Sequence, residues 1–120
     1  MAGTTAVWDE ARVRLWLDRR IAAARLDQAA ADRRGYAAQD DYDAAAAEEW
    51  ACRALHAGDH AGDRATFAAR IKTLLAQDDY RIAGVHDDRR VDRHVRATLR
   101  KVARLAKGDD GFANTLRYQG

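Results

Sequence analysis

Proline is missing from all 120 residues of this chain, and serine is missing with it. Proline is the strongest helix breaker, and serine competes for backbone hydrogen bonds, so both normally punctuate helices. Alanine, the best helix former, is the commonest residue. Such a chain leaves the helical state only at its eight glycines and at polar caps. The expected fold is therefore all-α: a small bundle of about four helices with a short C-terminal tail. A length of 120 residues fits a single domain, 1–120.

The hydrophobic fraction of 48% is mostly alanine; Leu, Ile, Val and Phe together number only 20. A net charge of only +2 and three tryptophans still mark a folding chain and not a disordered one. The core is expected to be thin, with part of the stability drawn from a partner or from self-association. One cysteine cannot form an intramolecular disulfide, which points to a reducing compartment. No apolar run approaches a membrane span and no signal-peptide pattern opens the chain, so a soluble, cytoplasmic protein is expected.

Glycines and caps set the helix boundaries. The first helix is expected to start after Thr4 or Thr5 and to stop at Gly35. It carries two apolar stripes on a 100° wheel. Trp8, Ala11, Leu15, Ala22, Leu26 and Ala29 form one; Val13, Leu17, Ile21 and Ala24 form the other, roughly opposite. A surface helix needs one stripe. Two imply a central helix, or one that packs in its own domain and against a second copy, giving a dimer through Trp16, Leu17 or their neighbours. The second helix follows Asp40–Asp41, buries Tyr42, Ala46, Trp50 and Ala54, and stops at Gly58. The third starts near Asp63 and presents Phe67, Ile71, Leu74 and Leu75. After a short segment, Asp79 to Val85, the fourth runs from about Asp88 to Lys107. Residues 108–120 form a tail whose Phe112, Leu116 and Tyr118 either cover the core or fray.

The pentapeptide AQDDY occurs at 38–42 and again at 76–80, with no similarity along the flanks. It is read as a local solution used twice: an alanine-rich helix ends, an aspartate caps the next, and the tyrosine packs in its first turn. HDDRRV at 86–91 is a third cap of this kind.

The stretch HAGDHAGDR, 56–64, has two readings. Glu48, Cys52, His56 and His60 recur every fourth residue, off the Tyr42–Trp50 face, and Cys, His and carboxylate are zinc ligands. Against a metal, Gly58 and Gly62 interrupt the helix. The spacing matches no structural zinc pattern, and H-E-x-x-H is absent. The favoured reading is a turn, in which Gly58 ends one helix, Asp63 caps the next and His56 sits at the negative end of a helix. Cys52, His56 and His60 remain the competing metal set. Cys52 beside His56 is also the one conceivable nucleophile pair of a metal- or thiol-dependent enzyme. Nothing else supports catalysis: serine is absent, and there is no glycine-rich phosphate loop or dinucleotide fingerprint. No cofactor is expected.

The charge is divided between the halves. Residues 1–63 carry 8 Lys/Arg against 12 Asp/Glu, and residues 64–120 carry 13 against 7. The basic excess concentrates in the fourth helix. Val91, Val95, Leu99, Val102, Leu105 and Ala106 make its apolar stripe. Arg89, Arg90, Arg93, Arg96, Arg100, Lys101, Arg104 and Lys107 take almost all the rest, with only Asp92 against them within the helix. Like charges at i,i+4 cost a helix a few tenths of a kcal/mol per pair. Helix stability does not ask for Arg89–Arg93, Arg96–Arg100 or Arg100–Arg104, so something anionic is expected to face them. Arginine outnumbers lysine six to two here, and its planar fork suits phosphate and carboxylate. A membrane surface fits less well, because the apolar stripe holds no Trp or Phe.

The stretch RIAGVHDDRRVDRHVRATLRK, 81–101, resembles the turn and recognition helix of a helix-turn-helix, although Val91 and Val95 fall one residue later than that motif places its apolar positions. The resemblance implies that Arg89, Arg90 and Arg93 lie nearest DNA.

The expected function is that of a small non-catalytic helical protein contacting nucleic acid, DNA above all, through the basic helix at about 88–107. The alternative is a protein–protein or inhibitor module, homodimeric or docking its basic face on an acidic protein. The second alternative is a metal- or thiol-dependent enzyme around Cys52 and His56. The bland reading of the basic helix is internal: it lies against the acidic half, and the charges satisfy each other.

Overall fold

A computed structural model describes residues 8–82, 85, 88–107 and 112, and within them the chain forms four α-helices and no strand. Helix α1 spans Glu10–Arg34, α2 Gln39–His56, α3 Arg64–Leu75 and α4 Asp88–Lys107; a 3-10 turn, Gly35–Ala38, joins the first two. The N-cap of α1 is Asp9, whose carboxylate accepts a hydrogen bond from the Arg12 backbone N–H. Thr4 and Thr5 lie outside the described residues. Gly35 ends α1 as expected: its φ of 76° is accessible to glycine and costly for other residues.

Helices α1 and α2 are an antiparallel hairpin zipped by side chains. Arg34 meets Asp41 near the turn, Arg20 meets Glu48 halfway, and Arg14 reaches the far end of α2. Alanines are buried along both helices: Ala24 and Ala31 of α1, and Ala45, Ala46, Ala47 and Ala51 of α2. Helix α4 runs beside α2 in the same direction, and α3 lies antiparallel against α4. The larger core residues gather where the helices meet: Trp16, Leu17, Leu55, Phe67, Leu74, Val95 and Leu99. From the tail, Phe112 is buried at one end, with its ring edge-on to Trp8, Trp16 and Phe67. Gly108, Leu116 and Tyr118 lie outside the described residues. No helix among the described residues is long and apolar enough to cross a membrane.

Several expectations are corrected. Helix α1 is not central. Val13, Leu17 and Ala24 face the core with Trp16, while Ala11, Leu15, Ala22, Leu26 and Ala29 face outward, Leu26 being 72% exposed. Trp16 and Leu17, expected at a contact with a second copy, are core residues at 2% and 0% exposure. No aspartate caps α2: the chain enters from the 3-10 turn, Ala38 stands at the cap position, and Asp40 and Asp41 fall inside the first turn. The second AQDDY starts no helix at all. Tyr80 is buried there, edge-on to Trp50, and its hydroxyl donates at 2.6 Å to the Leu74 carbonyl near the end of α3.

The helix-turn-helix resemblance fails on geometry. That motif joins its helices by a turn of three or four residues, whereas α3 ends at Leu75 and α4 begins at Asp88. Residues 81 and 82 are non-helical, and Ala83 and Gly84 lie outside the described residues.

Candidate nucleic-acid interface

The stretch 56–64 is a turn. His56 is the last residue of α2, and Gly58 follows with a φ of 60°. Arg14 donates to the carbonyls of His56 at 2.9 Å and Gly58 at 2.7 Å, so a guanidinium from α1 serves the open carbonyls at the end of α2. The Trp8 indole N–H donates to the Ala61 carbonyl. Asp63 caps α3, accepting from the Thr66 backbone N–H and hydroxyl, both at 2.8 Å; these bonds hold its carboxyl below the ordinary value. Asp63→Ala is expected to lower the melting temperature by about 4 °C, whereas Asp63→Asn, an equally good cap, leaves it near the parent value. Equal melting for all three proteins would show that this cap holds nothing.

The four residues of the metal reading are not a set. Cys52 is fully buried, contrary to its expected place off the core. Its thiol is pushed up to about 12, first by burial and then by the Glu48 carboxylate, and so carries no thiolate at neutral pH. Glu48 pairs with Arg20 at 2.6 Å, and His56 Nε2 lies 3.0 Å from the Asp18 carboxylate. Among the described residues no three His, Cys, Asp or Glu side chains group to hold a metal ion.

Helix α4 divides along its length. Its apolar stripe is buried as expected at Val91, Val95, Leu99, Val102 and Ala106, with Leu105 half-buried at the margin. The N-terminal half of its basic surface is largely answered from within the molecule. Arg90 donates to Asp43 at 3.0 Å and lies 3.5 Å from Asp40; Arg93 and His94 reach the same Asp40 at 3.3 and 3.1 Å. The hydrogen bond from His94 is the main reason that the Asp40 carboxyl sits below its ordinary value. Among the described residues Asp43 is the one carboxylate sealed in the core, at 1% exposure, and it also accepts from Gln39. Arg96 is structural. It pairs with Asp92, donates to the carbonyls of Leu75 at 2.6 Å and Gln77 at 2.9 Å, and stacks over Tyr80 at 5.3 Å. It serves the end of α3 as Arg14 serves the end of α2.

The expected order along α4 is thus reversed. Of the three arginines placed nearest DNA by the resemblance, Arg90 and Arg93 are held by the acidic start of α2. Apart from Arg89 at the start of the helix, the open charge lies further on. Arg89, Arg100, Lys101, Arg104 and Lys107 are exposed and make no ion pair with the described residues. Arg89, Arg93, Arg100, Arg104 and Lys107 fall on the side of α4 opposite its buried stripe, spaced by four, seven, four and three residues. At 1.5 Å per residue they form a line about 27 Å long. Arg104 and Lys107 also lie in the last turn, where the helix dipole favours cations. That explains those two but not Arg89, Arg100 or Lys101.

Sequence reasoning missed Asp40 and Asp43 as the partners of α4. A signal was available: Asp43, Ala47, Trp50 and Ala54 share one face of α2 at helical spacing, and a carboxylate in an apolar face needs a cation. No known family matches the chain, and no curated protein or solved structure is significantly similar to it.

Proposed function

We propose that this protein is a non-catalytic nucleic-acid-binding protein whose contact surface is the outward line of α4, centred on Arg100, Arg104 and Lys107 with Lys101 beside them and Arg89 at the far end. The observation that carries the reading is that these exposed cations have no ion-pair partner among the described residues, although the same helix pairs its other arginines with care. Repulsion between Arg100 and Arg104, one turn apart, is relieved when both face phosphate. One helix with an arginine-rich edge positions a phosphate backbone, and duplex DNA offers one charge per about 1.7 Å of its axis.

The test is the salt dependence of binding to a duplex oligonucleotide. Each neutralised phosphate releases condensed counterions, so four contacts give a slope of log affinity against log salt near −4, from about −0.9 per contact. The triple variant Arg100→Gln, Arg104→Gln, Lys107→Gln is expected to flatten that slope by up to about three units and to weaken all sequences alike. Its circular dichroism should match the parent, because all three side chains are exposed and off the buried stripe. Arg96 is left in place because it serves α3. No binding to duplex or single strand at low salt, or an unchanged slope in the triple variant, would end this reading.

A further inference from the structure

A groove of about 470 Å³ runs between α3 and α4. Its floor is apolar: Ala68, Ile71 and Leu75 from α3, and Ala103 and Ala106 from α4. Ile71 and Ala106 are buried beneath it, while Leu75 and Ala103 are half-exposed and Ala68 is exposed. Lys72 on α3 and Lys107 on α4 stand at the rim, and Arg64, stacked over Trp8, lies at one end. Among the described residues no acidic side chain lines it.

Three properties narrow the occupant. The α3 positions Arg64, Ala68, Ile71 and Leu75 recur at helical spacing and extend about 16 Å, so the groove follows the axes of two antiparallel helices. A third helix laid along such a seam packs its ridges into the groove, and small floor residues let it come close. Among the described residues the floor carries no hydroxyl, amide or imidazole, and so lacks the convergent polar groups that orient a small molecule. Among the described lining residues the rim charges Lys72 and Lys107 are of one sign, which selects an occupant with acidic flanks.

From the groove's shape, apolar floor and cationic rim, we infer that the α3–α4 face is the docking site for an acidic amphipathic helix of a partner protein. The occupant presents an apolar stripe at i, i+3 and i+7 to Ala68, Ile71, Leu75 and Ala103, with carboxylates reaching Lys72 and Lys107. This surface adjoins the nucleic-acid line but shares only Lys107 with it, so each can fail alone.

The probe is a fluorescein-labelled, hydrocarbon-stapled helix of about fourteen residues, with leucines at those positions and glutamates on both flanks. Fluorescence anisotropy against the full chain should show saturable binding below about 100 μM, in the range of a weak transient interface. Lys72→Glu is expected to weaken it about tenfold. Ala68→Trp, which fills the groove from an exposed position, should abolish it and leave duplex binding unchanged. The inference is overturned by any of four results: no binding of this probe, equal binding of the same helix with lysine flanks, insensitivity to both substitutions, or binding of decanoate in the groove without binding of the helix. A self-associated protein in sedimentation that Ala68→Trp makes monomeric would assign the groove to a second copy, and would equally overturn it.

Discussion

Replacing Phe112 by alanine is expected to destabilise the protein by about 3 kcal/mol, the lower end for removing a buried phenylalanine ring. Phe112 is only 6% exposed, and its ring stands edge-on to Trp16 at 5.4 Å and to Trp8 and Phe67 at 6.0 Å. The substitution removes its apolar area from the core and strips three aromatic rings of a neighbour, each such pair adding roughly 0.5–1.5 kcal/mol beyond its area. For a chain of this length the melting temperature should fall by more than about 10 °C. Near-ultraviolet circular dichroism should lose part of its tryptophan signal even below the transition. Urea unfolding at 25 °C gives the number directly. A loss under about 1 kcal/mol would mean that the tail lies outside the cooperative core.

The second large effect belongs to Asp43. Its side chain is 2% exposed and accepts from Arg90 at 3.0 Å and from Gln39 at 2.8 Å. Asp43→Ala leaves the Arg90 guanidinium without its buried partner, although Arg90 is 31% exposed and keeps Asp40 at 3.5 Å. The expected cost is about 2–3 kcal/mol, at or just below the range for a fully buried pair. The double replacement Asp43→Leu with Arg90→Met should recover most of it, because the desolvation of two charges goes with the pair. If the single change costs no more than the double one, the two residues are not coupled, and α4 is held to α2 by its apolar stripe alone.

Both effects concern contacts that no local pattern states outright. Phe112 stands between glycines and polar residues in a tail that reads equally well as packed or frayed; the aromatic cluster that decides it comes from three distant stretches of chain. Asp43 and Arg90 lie 47 residues apart. In sequence Asp43 has no assigned role, and Arg90 belongs to a basic surface. The candidate interface changed for the same reason. All eight cations of α4 look alike on a wheel, and only the approach of α2 and α3 separates Arg90, Arg93 and Arg96, which are engaged, from Arg89, Arg100, Lys101, Arg104 and Lys107, which make no ion pair with the described residues.

What the sequence determined by itself is local. The absence of proline and the abundance of alanine imposed helices, Gly35 and Asp63 marked helix boundaries, and the spacing from Val91 to Ala106 showed which side of α4 is buried. These depend on backbone sterics, caps and periodicity within a turn or two. Tertiary structure alone decided which of the two stripes on α1 faces inward, whether AQDDY starts a helix, and which arginines find a partner. Each of those outcomes depends on what another helix brings within a few ångströms, and burial and charge pairing act through space and not along the chain.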